Sequence, residues 1–94
     1  MSSLSVLDRD AIREKLKAIL TSPDFSSLQV DVSTLNDDAS LLNDIALDSL
    51  QLLEFVVAME RTFGFKLDTK RLSVDIFDRF DRVIDLVERS LVRH

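Results

Sequence analysis

The chain has 94 residues, a formal charge of −5 and 46% apolar residues, which suits one small domain around a single core. One Gly and one Pro argue against a turn-rich β fold, and the absence of Cys excludes disulfides and thiolate metal sites. No apolar run nears the roughly 20 residues that span a bilayer, and residues 1–10 lack a basic-then-apolar leader pattern, so a cytoplasmic protein without membrane contact is expected.

In the first segment, Ile12, Leu16, Ile19 and Leu20 recur at helical spacing, with Arg9, Arg13, Glu14, Lys15 and Lys17 on the other side. That pattern predicts a helix near residues 8–20. Asp8 or Asp10 caps its start, and Ser22-Pro23 ends it.

After Lys17 no basic residue occurs until Arg61. The stretch between them holds eight acids: Asp24, Asp31, Asp37, Asp38, Asp44, Asp48, Glu54 and Glu60. Such a field attracts basic partners and repels nucleic acid. Residues 21–48 form a long connection anchored by Phe25, Leu28, Val30, Val32, Leu35, Leu41, Leu42, Ile45 and Leu47. Loops of that length are uncommon in a compact domain unless functional, and these anchors predict packing across the helices. A single helical turn is expected near residues 41–44.

The segment Asp44-Ile45-Ala46-Leu47-Asp48-Ser49-Leu50 leads into a strongly apolar stretch that predicts a helix over residues 49–63, with Gly64 as a left-handed cap. Leu50, Leu52, Leu53, Phe55, Val56, Val57, Ala58, Met59 and Phe63 make it apolar on nearly every side. Such a helix is either central or partly open to a partner. Gln51, Glu54, Glu60 and Arg61 mark its wet side. Leu50 and Val57 border that side, and pattern alone leaves them open between core and contact. Ser49 stands at the helix start, where a phosphate ester would sit at the positive end of the dipole.

Phe65-Lys66-Leu67 leads out, and Leu72, Val74 and Ile76 predict a short helix. The last helix is expected over residues 80–92, with Val83, Ile84, Val87 and Leu91 as its apolar stripe. Asp81, Arg82, Asp85, Glu88 and Arg89 read as a solvated face, with Asp85 and Arg89 attracting at i, i+4. The fold class is all-α, in a single domain over residues 1–94 with its core at about 8–92.

Catalytic patterns are missing. The sole histidine is His94, no Gly-x-Ser-x-Gly elbow surrounds Ser49, and no Gly-rich phosphate loop occurs. Asp37-Asp38 reads as neighbouring loop carboxylates, and residues 31–38 lack the Gly and terminal Glu of a calcium loop. The expectation is a non-enzymatic module without a metal.

Taken together, Asp37-Asp38-Ala39-Ser40-Leu41, Asp44-Ile45-Ala46-Leu47-Asp48-Ser49-Leu50, Glu54, Glu60, Phe63-Gly64 and Arg79-Phe80-Asp81-Arg82-Val83-Ile84-Asp85-Leu86-Val87 resemble an acyl carrier protein over about residues 11–91. The resemblance implies a four-helix bundle of three longer helices and one short, with a long first loop. It implies that a phosphopantetheinyl transferase esterifies Ser49 with 4′-phosphopantetheine from coenzyme A, and that the arm carries acyl or aminoacyl groups as thioesters. The missing cysteine fits, because the working thiol arrives with the arm. Asp48 resembles the acid that helps the transferase hold magnesium and cofactor, and Leu50 resembles the apolar residue that docks into it. Partner contacts are implied at Leu47, Gln51, Glu54, Val57, Glu60 and Arg61. The implied partners are a loading enzyme (an adenylation enzyme or acyltransferase), then a ketosynthase, transferase or tailoring enzyme, with the carrier itself a monomer.

Three departures matter. Ala46 stands where the family often has Gly two residues before the Asp, so the loop entering the helix is expected to differ. Gln51 and Arg61 stand in a commonly acidic run, and the connection over residues 67–80 is slightly long. These features favour a free-standing carrier of specialised polyketide or aminoacyl biosynthesis over the housekeeping fatty-acid type. The alternatives are an aminoacyl or peptidyl carrier of a non-ribosomal or D-alanylation-like pathway, and a helical interaction or regulatory bundle.

Overall fold

The computed structural model describes residues 8–25, 32–67 and 72–92. Among them are three α-helices, α1 (Arg9–Leu20), α2 (Ser49–Phe63) and α3 (Phe80–Val92), and no strand. Short 3₁₀ segments at Pro23–Phe25, Val32–Thr34 and Val74–Asp78 punctuate the connections. The anchors Leu28 and Val30 of the long connection lie outside the described residues.

Each helix starts where its unpaired N–H groups find acceptors. Asp8 accepts from the Ala11 N–H at 2.8 Å and caps α1. Asp48 does the same for α2. α3 uses the long connection instead: the N–H groups of Phe80 and Asp81 donate to the carbonyls of Ala39 (2.8 Å) and Asp37 (2.7 Å). Gly64, at φ 75°, closes α2 in the left-handed conformation that glycine adopts without a Cβ penalty.

The short helix expected around Leu72, Val74 and Ile76 is a five-residue 3₁₀ segment. Its Phe77 side chain is buried, and its Phe77 carbonyl accepts from the Leu41 N–H at 2.9 Å. A carbonyl held by the opposing loop favours a short tight segment over continued α-helix. The single turn expected near residues 41–44 is present as one hydrogen-bonded turn, with the Asp44 N–H on the Ser40 carbonyl four residues back at 2.8 Å.

The core lies between the three helices. Phe55 of α2 meets Phe25 and Phe77 edge-on, each at 6.3 Å between ring centroids. Such edge contacts add to the gain from area burial. Ile12, Leu16 and Leu20 of α1 and Phe80, Val83, Ile84 and Val87 of α3 fill the remainder.

Charges expected to face only solvent tie elements together. Arg9 donates to Asp85 (2.5 Å) and Glu88 (3.0 Å), so Asp85 links α3 to α1. This corrects the expected Asp85–Arg89 pairing. Arg13 grips both oxygens of Asp37 at 2.7 and 2.8 Å and also bonds Asp10. Asp37 is thereby held below the ordinary carboxylate range by the Arg13 hydrogen bonds. Asp81 is lowered in the same way by Arg79.

Candidate functional site

The long connection is anchored before it reaches α2. Ser40 is buried, and its Oγ donates to Asp78 Oδ1 at 3.0 Å while accepting from the N–H groups of Leu42 (3.2 Å) and Asn43 (3.0 Å). Asp44 Oδ2 accepts from the Ser40 N–H at 2.7 Å. Ile45 and Leu47 then insert into the core, with Ala46 exposed between them. The Leu47 N–H donates to the Leu41 carbonyl at 3.0 Å.

Between these two buried neighbours the backbone at Ala46 is unusual. Its φ is 63°, in the left-handed region. An L-residue with a Cβ is disfavoured there by about 1–2 kcal/mol. The loop was expected to differ for want of a glycine; instead the chain adopts a glycine-type conformation and accepts the strain.

The turn delivers Asp48 and Ser49 to the surface. Asp48 is extended (φ −85°, ψ 178°), and its Oδ1 accepts from the Gln51 N–H at 2.8 Å. Gln51 Oε1 reciprocates by accepting from the Asp48 N–H at 3.1 Å. This reciprocal capping box fixes the first turn of the helix. Ser49 is the first residue of α2 and is exposed, as are Asp48 and Leu50. Helix geometry leaves the N–H groups of Ser49 and Leu50 without intrahelical acceptors, so the terminus is electropositive toward an anion on Ser49. A hydroxyl that is exposed, rigidly presented and next to free amides fits a phosphate diester linkage.

The expected contact residues divide. Glu54 and Arg61 are exposed, and Val57 is 38% exposed. Gln51 is half-buried within the capping box. Glu60 is half-buried, and its Oε2 accepts from the Leu67 N–H at 2.8 Å, so it also anchors the chain leaving α2. Leu47 is a correction: at 5% exposure it belongs to the core and is no surface contact. Its burial is what turns Asp48 outward.

Leu50 resolves as exposed, at 65%. Leu53, at 55%, was not singled out in the sequence. Its signal was the spacing i+4 from Ser49, which puts it directly behind the serine on the same helical ridge. Val74, in the neighbouring 3₁₀ segment, is 58% exposed.

Around this apolar strip, Asp44, Asp48 and Glu54 are all exposed, so the serine end of α2 is acidic. No histidine lies among the described residues. Asp37, one of two adjacent loop acids, is engaged by Arg13.

A comparison with curated proteins finds no match. A model of the family described as phosphopantetheine attachment site matches residues 26–89, which include the capped turn, Ser49 and all of α2. The chain therefore belongs to the phosphopantetheine-attachment family, the carrier domains that hold 4′-phosphopantetheine covalently.

Proposed function

We propose that this protein is an acyl carrier protein whose 4′-phosphopantetheine is borne by Ser49. The observation that carries the proposal is the exposed serine at the first position of α2, locked by the Asp48–Gln51 capping box inside the matched region. When bound, the arm supplies a thiol that holds acyl or aminoacyl groups as thioesters.

In the attachment step Ser49 Oγ bonds to the phosphorus of the pantetheine phosphate in coenzyme A. The bond from that phosphorus to the bridging oxygen breaks, adenosine 3′,5′-bisphosphate leaves with that oxygen, and the serine proton passes to a base on the transferase. The base comes from outside because the only histidine in the chain is His94. The chain acts in this reading as a tethered substrate rather than an enzyme, as a cytoplasmic monomer. Asp48 orients the helix terminus and presents its carboxylate beside the serine. Leu50, Leu53 and Val57 form the apolar centre of the docking face, with Glu54 drawing basic partner residues toward it. A small charged interface of this kind associates fast and releases readily, which suits serial delivery.

Gln51 and Arg61 support the narrower proposal of a carrier for specialised polyketide or aminoacyl biosynthesis. They make the recognition helix less acidic than a fatty-acid carrier's.

Incubation with coenzyme A and a promiscuous phosphopantetheinyl transferase, followed by intact-protein mass spectrometry, tests the assignment. The wild type gains one phosphopantetheine, and Ser49→Ala gains none while keeping its helical circular dichroism. No mass gain in the wild type would favour a helical interaction bundle. A gain retained by Ser49→Ala would move the attachment to another residue.

A further inference from the structure

A continuous ridge descends from Ser49 along the open side of α2. Ser49, Leu53, Val57 and Arg61 follow at four-residue steps, and Gly64 comes one further step of three. The ridge is apolar at Leu53 and Val57, flanked by the exposed Leu50. It ends in an open groove of about 550 Å³ lined by Val57, Glu60, Arg61, Gly64, Phe65 and Lys66.

The groove differs in charge from the serine end. Arg61 and Lys66 are exposed, and neither is in an ion pair among the described residues. They are the first two cations after Lys17. Among the described lining residues the one carboxylate, Glu60, has an oxygen occupied by the Leu67 N–H. Apolar surface comes from Val57 and the buried Phe65. Gly64 keeps the mouth open, since nothing lies within 4 Å of where its Cβ would be. Arg61 alone would be explained by the negative end of the helix dipole. That account covers neither Lys66, which lies beyond the helix, nor the groove between them.

The reach matches. Ser49 to Arg61 is twelve residues, a rise of about 18 Å at 1.5 Å each. Fourteen bonds separate the serine oxygen from the thiol sulfur of a phosphopantetheine arm. At about 3.8 Å of advance per three bonds, the extended arm also spans about 18 Å. An arm lying over Leu53 and Val57 therefore brings its thioester to the groove.

We propose that this groove receives the cargo of the arm, and that the cargo class it fits is a short carboxyacyl group whose free carboxylate sits between Arg61 and Lys66. This rests on Ser49 being the attachment point. The contact is solvent-exposed and hence weak and salt-sensitive, which allows release to the next enzyme.

The test compares two cargoes of equal length, succinyl and butyryl, each loaded on ¹⁵N-labelled protein from its coenzyme A thioester by a promiscuous transferase and verified by mass. The succinyl form is expected to shift the amide signals of Arg61, Gly64, Phe65 and Lys66 relative to the butyryl form. The difference is expected to disappear in Arg61→Gln/Lys66→Gln and to shrink in high salt. Equal shifts from both cargoes, no groove shifts from succinyl, or shifts that persist in the double variant would each overturn the inference while leaving the carrier assignment intact. Failure of Ser49 to load would overturn both.

Discussion

Replacing Ala46 with glycine isolates the strain in the turn that presents Ser49. Ala46 is exposed, so removing its methyl group leaves no cavity and the effect is one of backbone alone. Its φ of 63° costs an L-residue about 1–2 kcal/mol. Glycine gives back about 0.4–1 kcal/mol through the greater freedom of its unfolded chain. The expected net is a stabilisation of about 0.5–1 kcal/mol, or a rise in Tm of about 2–8 °C for a domain of this size. Urea unfolding followed by circular dichroism measures it, with an unchanged m-value showing that the unfolded state is comparable. Ala18→Gly, at an exposed position inside α1, is the control and should lose about 1 kcal/mol. If Ala46→Gly is less stable than the wild type, the left-handed conformation is not a source of strain and the account of this turn fails.

Three further outcomes are expected. Arg13→Met should lower stability at pH 7 by about 1 kcal/mol, the partly exposed pair being screened. Because Arg13 holds Asp37 below its ordinary value, the contribution is complete above about pH 4 and is lost as pH falls through the lowered folded value. The gap between variant and wild type should therefore narrow as acid protonates Asp37, and a gap unchanged between pH 7 and acid in urea titrations counts against the coupling. Ser40→Ala leaves the N–H groups of Leu42 and Asn43 without their acceptor and Asp78 Oδ1 with only the 3.4 Å bond from Asn43 Nδ2, and should cost about 1–2 kcal/mol by the same measurement; a neutral result means the loop is not pinned by this hydroxyl. Gln51→Glu with Arg61→Glu keeps a residue able to close the capping box and restores acidity along α2. Productive pairing with a fatty-acid ketosynthase should improve, and unchanged or weaker turnover refutes the idea that these positions set partner choice.

The local signals in this chain were sufficient for the helices and for the serine. Asp8, Asp48 and Gly64 act within three or four residues of themselves, so the starts of α1 and α2 and the end of α2 were legible before any packing was known. The same holds for Ser49, whose exposure follows from its place beside the cap. The short segment at residues 74–78 is a 3₁₀ helix, and the Phe77 carbonyl within it accepts from Leu41, far away in sequence, a contact that no local pattern reveals.

Sequence alone thus determined the three α-helices and the serine at the head of α2, since periodicity and capping are properties of neighbouring residues. Tertiary structure decided which apolar residues of α2 face water, because a helix apolar on most sides has no intrinsic outside. It placed Leu47 in the core and Leu50 and Leu53 on the surface, drew Ala46 into a strained turn, and paired Arg9 and Arg13 with acids from distant segments. It also gathered Arg61 and Lys66 around one groove. Each of these outcomes depends on how the three helices and the long connection share one limited core, a constraint that no window of sequence contains.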